Sequence, residues 1–335
     1  MMMPHVEYLA CPTCKGELIV HEIKKQHTNS IQEGTLRCSK CDDRYAIVRH
    51  IPRFVTSENY AKGFGLEWTK HARSQYDSYT GTKISERRFF DETGWPRKLH
   101  GELILEIGSG SGRFTEQAAS TGAMIVSVDY SRAVEANYLL NGHKQNVLIV
   151  QGDIYNLPVQ ESLFDKVFCF GVLQHTPNPE KAFMAVPPFL KRGGSLVIDV
   201  YRDKLWQRTL ETKYWLRPIT RHIEPGALYN LCKQYVEFMW PLTRHTARRF
   251  GHFGSLVNWR LLIADYTGVY DLPSNIMKEW AVLEAFDMLS PRYDFPQTYE
   301  TVQKWFRRAN LTNCEVRTGY NGIYGRATTQ SGTGD

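Results

Sequence analysis

From Gly101 onward, short apolar runs alternate with stretches whose apolar residues recur every three or four positions. The runs at 103–107, 123–128 and 146–150 are continuous and rich in Ile, Leu and Val, which predicts buried strands. Residues 164–170 and 195–201 supply a fourth and a fifth. Residues 113–121, 131–140 and 179–190 carry the helical period, with Lys-Arg-Gly-Gly (191–194) as the turn into the fifth strand. Strand and helix in this rhythm predict an α/β fold with a parallel, doubly wound sheet. The chain closes on an amphipathic helix over 297–309 and two strand-like runs, 313–318 and 323–328, about a Gly-Tyr-Asn-Gly turn, which is a hairpin signal.

What lies outside this rhythm divides the chain further. Residues 1–57 hold strand-like runs at 17–20 and 45–48 and end near Pro52, where regular pairing should stop. Residues 58–100 mix aromatic and charged residues with glycines and read as short helices forming a lid. A core over 101–202 follows, then an insertion over 203–296 whose prolines at 218, 225 and 241 separate several helices, then the closing segment 297–335.

Composition narrows the class. Hydrophobic residues at 42% and charged residues at 23% are globular values and exclude a disordered or fibrous chain. The net charge of +6 and pI near 8.8 fall short of a dedicated nucleic-acid binder. No apolar run approaches the roughly 20 residues that span a bilayer, and the first residues have neither a basic n-region nor a long apolar one, so a cytoplasmic protein is expected.

Four of the seven cysteines, Cys11, Cys14, Cys38 and Cys41, form two Cys-x-x-Cys pairs in the first 41 residues. Each two-residue loop brings two thiolates within reach of one ion, so the pairs read as the knuckles of a zinc ribbon. Four thiolates close the coordination sphere, which makes the zinc structural. Two disulfides are the alternative, and the lack of a secretion signal speaks against them.

The first turn of the sheet, Glu106-Ile-Gly108-Ser109-Gly110-Ser-Gly112, follows a strand and opens a helix, so its amides face a ligand that the glycines let approach. Asp129 ends the second strand, where a carboxylate accepts hydrogen bonds from ribose hydroxyls. Asp153 follows the third strand, within reach of an adenine amino group. A negative Glu106 suits a ligand carrying an ammonium better than one carrying a pyrophosphate. A dinucleotide dehydrogenase would need a third glycine where Arg113 stands.

These motifs, with Phe170-Gly-Val-Leu-Gln-His175-Thr-Pro-Asn-Pro179 after the fourth strand, resemble the UbiE-like, type 11 group of class I S-adenosylmethionine (SAM)-dependent methyltransferases. The resemblance covers residues 101–202. It implies a Rossmann-like, seven-stranded sheet with an antiparallel last strand. It also implies that Gly108, Ser109 and Gly110 hold the methionine end, Asp129 with Tyr130 the ribose, and Asp153 with Ile154 the adenine, with Phe170 beside them. The front module resembles the zinc-ribbon activator proteins of tRNA methyltransferases. By the same likeness the lid folds over the cofactor, with Phe64 or Trp68 packing on it and Arg88 meeting its carboxylate.

His175, just beyond the fourth strand, is the first candidate for a general base; ordering of its own loop is the competing role. Asp287 and Tyr293, with Arg292 and Asp294, form a second polar cluster before the closing helix. Cys169 sits inside an apolar strand, unlike an exposed nucleophile, and Pro187-Pro188-Phe189 lies too far along to be a base-methylation element. Between Asp203 and Leu262 ten Lys or Arg stand against four acids, interleaved with aromatics that include Trp206. A basic rim beside aromatic rings suits a saccharide-type or other small acceptor, including a phosphorylated or lipid-linked glycan. The expected reaction is therefore O-methylation of such an acceptor. Methylation of rRNA or tRNA is the alternative, and a non-catalytic partner subunit a third reading.

Overall fold

A computed structural model describes residues 1–56, 58–204 and 207–330; Trp206 and the tail 331–335 lie outside them. The chain opens with a single 3-10 turn and an antiparallel meander, β1 (Leu18–His27), β2 (Ser30–Cys38), β3 (Arg44–Val48) and β4 (Ile51–Arg53). Strand β2 fills the stretch between the two cysteine pairs and meets β1 through a turn at Thr28 and Asn29. Pro52 does not end the pairing, because it sits opposite Ile47 in β4, and an extended backbone accommodates the fixed φ of proline.

The four thiols converge. Their sulfurs all lie within 4.8 Å of one another, with Cys11 3.6 Å from Cys41 and Cys14 3.5 Å from Cys38. A tetrahedral zinc with bonds of about 2.3 Å sets its sulfurs about 3.8 Å apart. The donor set fits that ion, and the separations exclude disulfides.

Three helices follow, α1 (Lys62–Lys70), α2 (Asp77–Thr80) and α3 (Ile84–Thr93), before the parallel strands β5 (Leu103–Ile107), β6 (Met124–Asp129), β7 (Val147–Gln151), β8 (Phe164–Phe170) and β9 (Leu190–Val200). All residues of β5 and β7 are buried, as expected of strands covered on both faces. Helices α4 (Arg113–Ser120), α5 (Val134–Asn141) and α6 (Pro179–Met184) make the crossovers. The helix expected over 179–190 stops at Met184, because Pro187 and Pro188 force a separate 3-10 turn at Pro187–Phe189. The Lys-Arg-Gly-Gly stretch read as a turn lies inside β9, which starts at Leu190 with a register irregularity.

The insertion is helical: α7 (Gln207–Leu210), α8 (Thr212–Thr220), α9 (Pro225–Arg260) and α10 (Ser274–Leu289). Helix α11 (Tyr299–Arg308) then leads to the hairpin β10 (Thr312–Gly319) and β11 (Gly322–Thr328), and β11 runs antiparallel to β9.

The expected count of seven strands is corrected to eleven in one sheet, ordered β1-β2-β3-β4-β7-β6-β5-β8-β9-β11-β10. The ribbon is part of the sheet because Arg53 pairs in parallel with Gln151 and the Phe54 amide donates to the Gln151 carbonyl at 2.9 Å. A second seam ties Leu9 to Val159, and Lys15 Nζ donates to the Leu157 carbonyl at 2.7 Å. Leu9, Leu18, Leu36 and Cys38 share one apolar core with Leu157, Val159 and Phe189. Zinc loss should therefore propagate into the core. The protein purified from metal-replete cells is expected to hold about one zinc per chain, and Cys14→Ser to lose it and melt at least several degrees lower; an unchanged melting temperature after metal removal would contradict the shared core.

Candidate active site

The loop from β5 to α4 holds Gly108 and Gly110 at φ of +77° and +53°, and each is overlaid by another element. A Cβ on Gly108 would stand 2.1 Å from the Val172 side chain, and one on Gly110 3.1 Å from the Trp68 indole nitrogen. A side chain is disfavoured by conformation at both positions and excluded by space at Gly108. Trp68 brings α1 directly over the loop, so the lid is closed on it.

Asp129 ends β6 with its carboxylate on this loop: Oδ2 accepts from the Gly110 amide at 2.8 Å, and Oδ1 from the amide and hydroxyl of Ser131 at 2.7 Å each. These use three of about four acceptor positions and leave capacity for a ribose hydroxyl. Burial raises its pKa. Ser109 Oγ is buried on the same wall with no hydrogen-bond partner in the chain. Gly152, Ile154, Tyr130 and Phe170 continue the wall; Asp153 stands behind it, accepting from the Tyr155 amide at 3.0 Å. An orphaned hydroxyl, a glycine cradle and a capped carboxylate together fit a nucleoside with a charged amino-acid tail.

Two expected contacts fall elsewhere. Glu106 points away from the cavity into a buried network with Thr115, Ser127 and Asn137, where burial pushes its pKa up to about 7. Arg88 lines the cavity but is bound by the buried carboxylates of Asp199 and Glu92. The guanidinium left over is that of Arg113, at the start of α4. It donates to Ser85 Oγ at 3.2 Å and to Gln75, and no described carboxylate lies within ion-pair distance. Burial, then the charge of Arg88, lowers its pKa to about 10. The sequence reading used Arg113 only to exclude a third glycine; its place on the first turn after the loop was the available signal.

Residues 105–198 match the methyltransferase domain family of type 11, and residues 5–49 match the Trm112p-like protein family. The chain is a class I SAM-dependent methyltransferase with a Trm112p-like zinc ribbon. Ubiquinone biosynthesis O-methyltransferase of Coxiella burnetii is 25% identical over 182 residues, 52% of this chain and 70% of that enzyme. Phosphoethanolamine N-methyltransferase of Triticum aestivum is 27% identical over 139 residues, 40% of this chain but 27% of that enzyme. Among solved structures, the complex between the Haloferax volcanii Trm112 methyltransferase activator and the putative methyltransferase aligns with a TM-score of 0.45 at 11% identity, covering 82% of this chain and 99% of that one.

Beyond the cofactor walls the methyltransferase cavity, roughly 1130 Å³ in all, extends under the insertion. His175 is buried, its Nδ1 3.0 Å from the Tyr293 carbonyl and its ring between Phe64 and Tyr201. With the proton on Nδ1 donated to that carbonyl, Nε2 carries a lone pair. Tyr293 engages His175 through its backbone; its ring packs on Tyr60 and Phe295 and does not line the cavity. Asp287 does line it, accepting from the Tyr201 hydroxyl at 3.3 Å.

Sequence reading missed Glu67 and Glu284, which join Asp287 on this wall. Tyr266 donates to Glu284 at 3.1 Å, while Glu67 is fully buried with Oε2 unpartnered. Burial, then the charge of Asp287, pushes Glu284 up to about 7, and burial with both neighbouring carboxyls holds Glu67 well above the ordinary range.

Two outcomes follow for the methyltransferase. Removing the carboxylate at the end of β6 with Asp129→Ala is expected to weaken S-adenosylhomocysteine binding about 10- to 100-fold by calorimetry. Glu67 keeps its proton when folded and loses it when unfolded, so its contribution to stability falls as pH rises from the ordinary carboxylate range toward its raised folded pKa. Glu67→Gln removes that fall. Its melting temperature should gain on the parent's from pH 5 to pH 8; a constant difference would contradict the buried, proton-bearing state.

Proposed function

We propose that this methyltransferase O-methylates a small, hydroxyl-bearing acceptor of saccharide type held between the core and the insertion, in the cytoplasm. The observation that carries the reading is the chemistry of the inner chamber. Glu67, Glu284 and Asp287 face it together with the hydroxyls of Tyr201 and Tyr266, a set that both donates to and accepts from alcohols. Trp259 and Tyr214 on the same walls offer rings on which a sugar can stack. Burial raises the pKa of both Glu67 and Glu284, which favours their uncharged forms beside an uncharged acceptor.

When bound, SAM would supply an electrophilic methyl on a sulfonium, open to in-line displacement of its thioether by an acceptor oxygen. In this reading Arg113 and Ser109 take the amino-acid tail, Asp129 the ribose, and Ile154 the adenine end, with Asp153 behind it ordering the turn through the Tyr155 amide. Trp68 and Phe64 close over the loop and exclude water. His175 Nε2 accepts the hydroxyl proton as the new C–O bond forms. The Tyr293 carbonyl holds its tautomer, and Asp287 orients the acceptor through Tyr201. The base and loop-ordering roles of His175 are then one arrangement.

A radiolabelled-methyl assay run in parallel on total cell RNA and on RNase-treated small-molecule, glycan and lipid extracts tests the reading. Label is expected in the RNase-treated fractions; label confined to intact RNA would overturn it. In the productive fraction His175→Ala should lower kcat by roughly 10²-fold with a smaller change in KM, and a loss under twofold would remove His175 from the proton transfer.

A further inference from the structure

The outer surface of the insertion is the reverse of an ordinary helical surface. Twelve of the twenty-one large apolar side chains exposed among the described residues lie between Leu210 and Val257. On α8, Trp215 is 61% and Ile219 69% exposed. On α9, Leu231, Phe238 and Leu242 follow at spacings of seven and four, one stripe of a helix, with Phe238 82% exposed.

Helix α9 is itself folded over. Gly251 leaves the helical region at φ +54°, ψ −130°. Beyond it Gly254 touches the backbone of Thr246, and Asn258 Nδ2 donates to the Thr243 carbonyl at 2.9 Å. Paired positions whose numbers keep a nearly constant sum mark two antiparallel arms, with Arg248-Arg249-Phe250-Gly251-His252-Phe253 as the tip. Every residue of that tip is exposed, including both phenylalanine rings and both guanidinium groups.

Charge and position identify what this face meets. The 203–262 segment carries a net +6, the whole surplus of the chain, and Arg221, Lys233, Arg248 and Arg249 are exposed on it. Apolar rings beside arginines at a loop tip match the boundary between anionic headgroups and acyl chains. No described helix is long and apolar enough to cross a membrane. Leu210 and Leu256, both about half exposed, line the cavity as well as this face, so the apolar surface runs to the mouth of the acceptor chamber.

We propose that this face docks on an anionic bilayer, with Phe250 and Phe253 in the interface, and admits a membrane-resident amphiphile through the mouth at Leu210 and Leu256. The docking stands on the surface alone; the choice of acceptor rests on the methyl-transfer reading above.

The test is co-sedimentation of the full chain with vesicles of phosphatidylglycerol and phosphatidylcholine, against phosphatidylcholine alone, at low and high salt. Most of the protein should pellet with the anionic vesicles and be partly released by salt. Phe250→Ser with Phe253→Ser should cut partitioning at least tenfold, and Arg248→Glu with Arg249→Glu should abolish the anionic preference. S-adenosylhomocysteine affinity should be unchanged in both variants, which separates lost docking from misfolding. Failure to pellet with anionic vesicles, pelleting indifferent to both variants, or a dimer in light scattering that the phenylalanine variant dissolves would each overturn the proposal. Loss of S-adenosylhomocysteine binding by the parent, with vesicle binding retained, would instead sink the methyl-transfer reading.

Discussion

A single guanidinium, largely withdrawn from solvent, ties the helices that precede the parallel strands to the rest of this enzyme. Arg88, on the third lid helix, is held between Asp199 at the end of β9 and Glu92 one turn further along its own helix. Asp199 also accepts from the Gly171 amide after β8, and Glu92 from the Tyr320 amide in the terminal hairpin. One charge cluster thus joins the lid, the C-terminal end of the parallel strands and the last two strands. Breaking such a pair by removing one partner typically costs about 3–5 kcal/mol, since an uncompensated charge is left inside. Two carboxylates share one cation, and burial with the Asp199 charge accordingly raises the pKa of Glu92.

That cluster also fixes which cation remains for a ligand. With Arg88 committed, its charge bears on Arg113, whose own contacts are to a hydroxyl and an amide. A guanidinium in a cavity wall without a close carboxylate is an expensive state unless an anion completes it. Its place beside the glycine loop is why the proposed reading sets the carboxylate of the methionine tail against it. Trp68 of α1 covers the same loop at Gly110.

The sequence revealed the parts whose constraint is local. The glycine loop, the ends of β6 and β7 and the cysteine knuckles each occupy a few consecutive residues whose backbone or donor chemistry is dictated on the spot, and all were legible. The strands of the ribbon were legible only where they are apolar. Strand β1 is almost wholly exposed beyond Leu18, with His21, Glu22, Lys24 and Lys25 in its ladder, so no apolar pattern marks it. Its partner β2 closes the same ladder, and joining the ribbon to β7 rests on backbone bonds at Arg53 and Phe54 that no side-chain pattern announces. The choice between Arg88 and Arg113 was illegible for a related reason. It turns on Asp199, 111 residues from Arg88, reaching it through the fold.

The insertion was legible as basic and aromatic, but its orientation was not. A helix turned toward a core ordinarily buries its apolar stripe and exposes its charges. Here part of that order is reversed: the carboxyls of Glu284 and Asp287 on α10, with Tyr201 after β9 and Tyr266 before α10, line an internal chamber, while leucines, phenylalanines and other large apolar residues of α8 and α9 are exposed. Both halves of the inversion have a cost in an isolated monomer, since buried carboxyls lose solvation and exposed rings order water. A polar acceptor inside and an apolar surface outside remove the two costs together. On the proposed reading, a fold that carries both on one segment suits an acceptor that is hydroxylated at one end and apolar at the other.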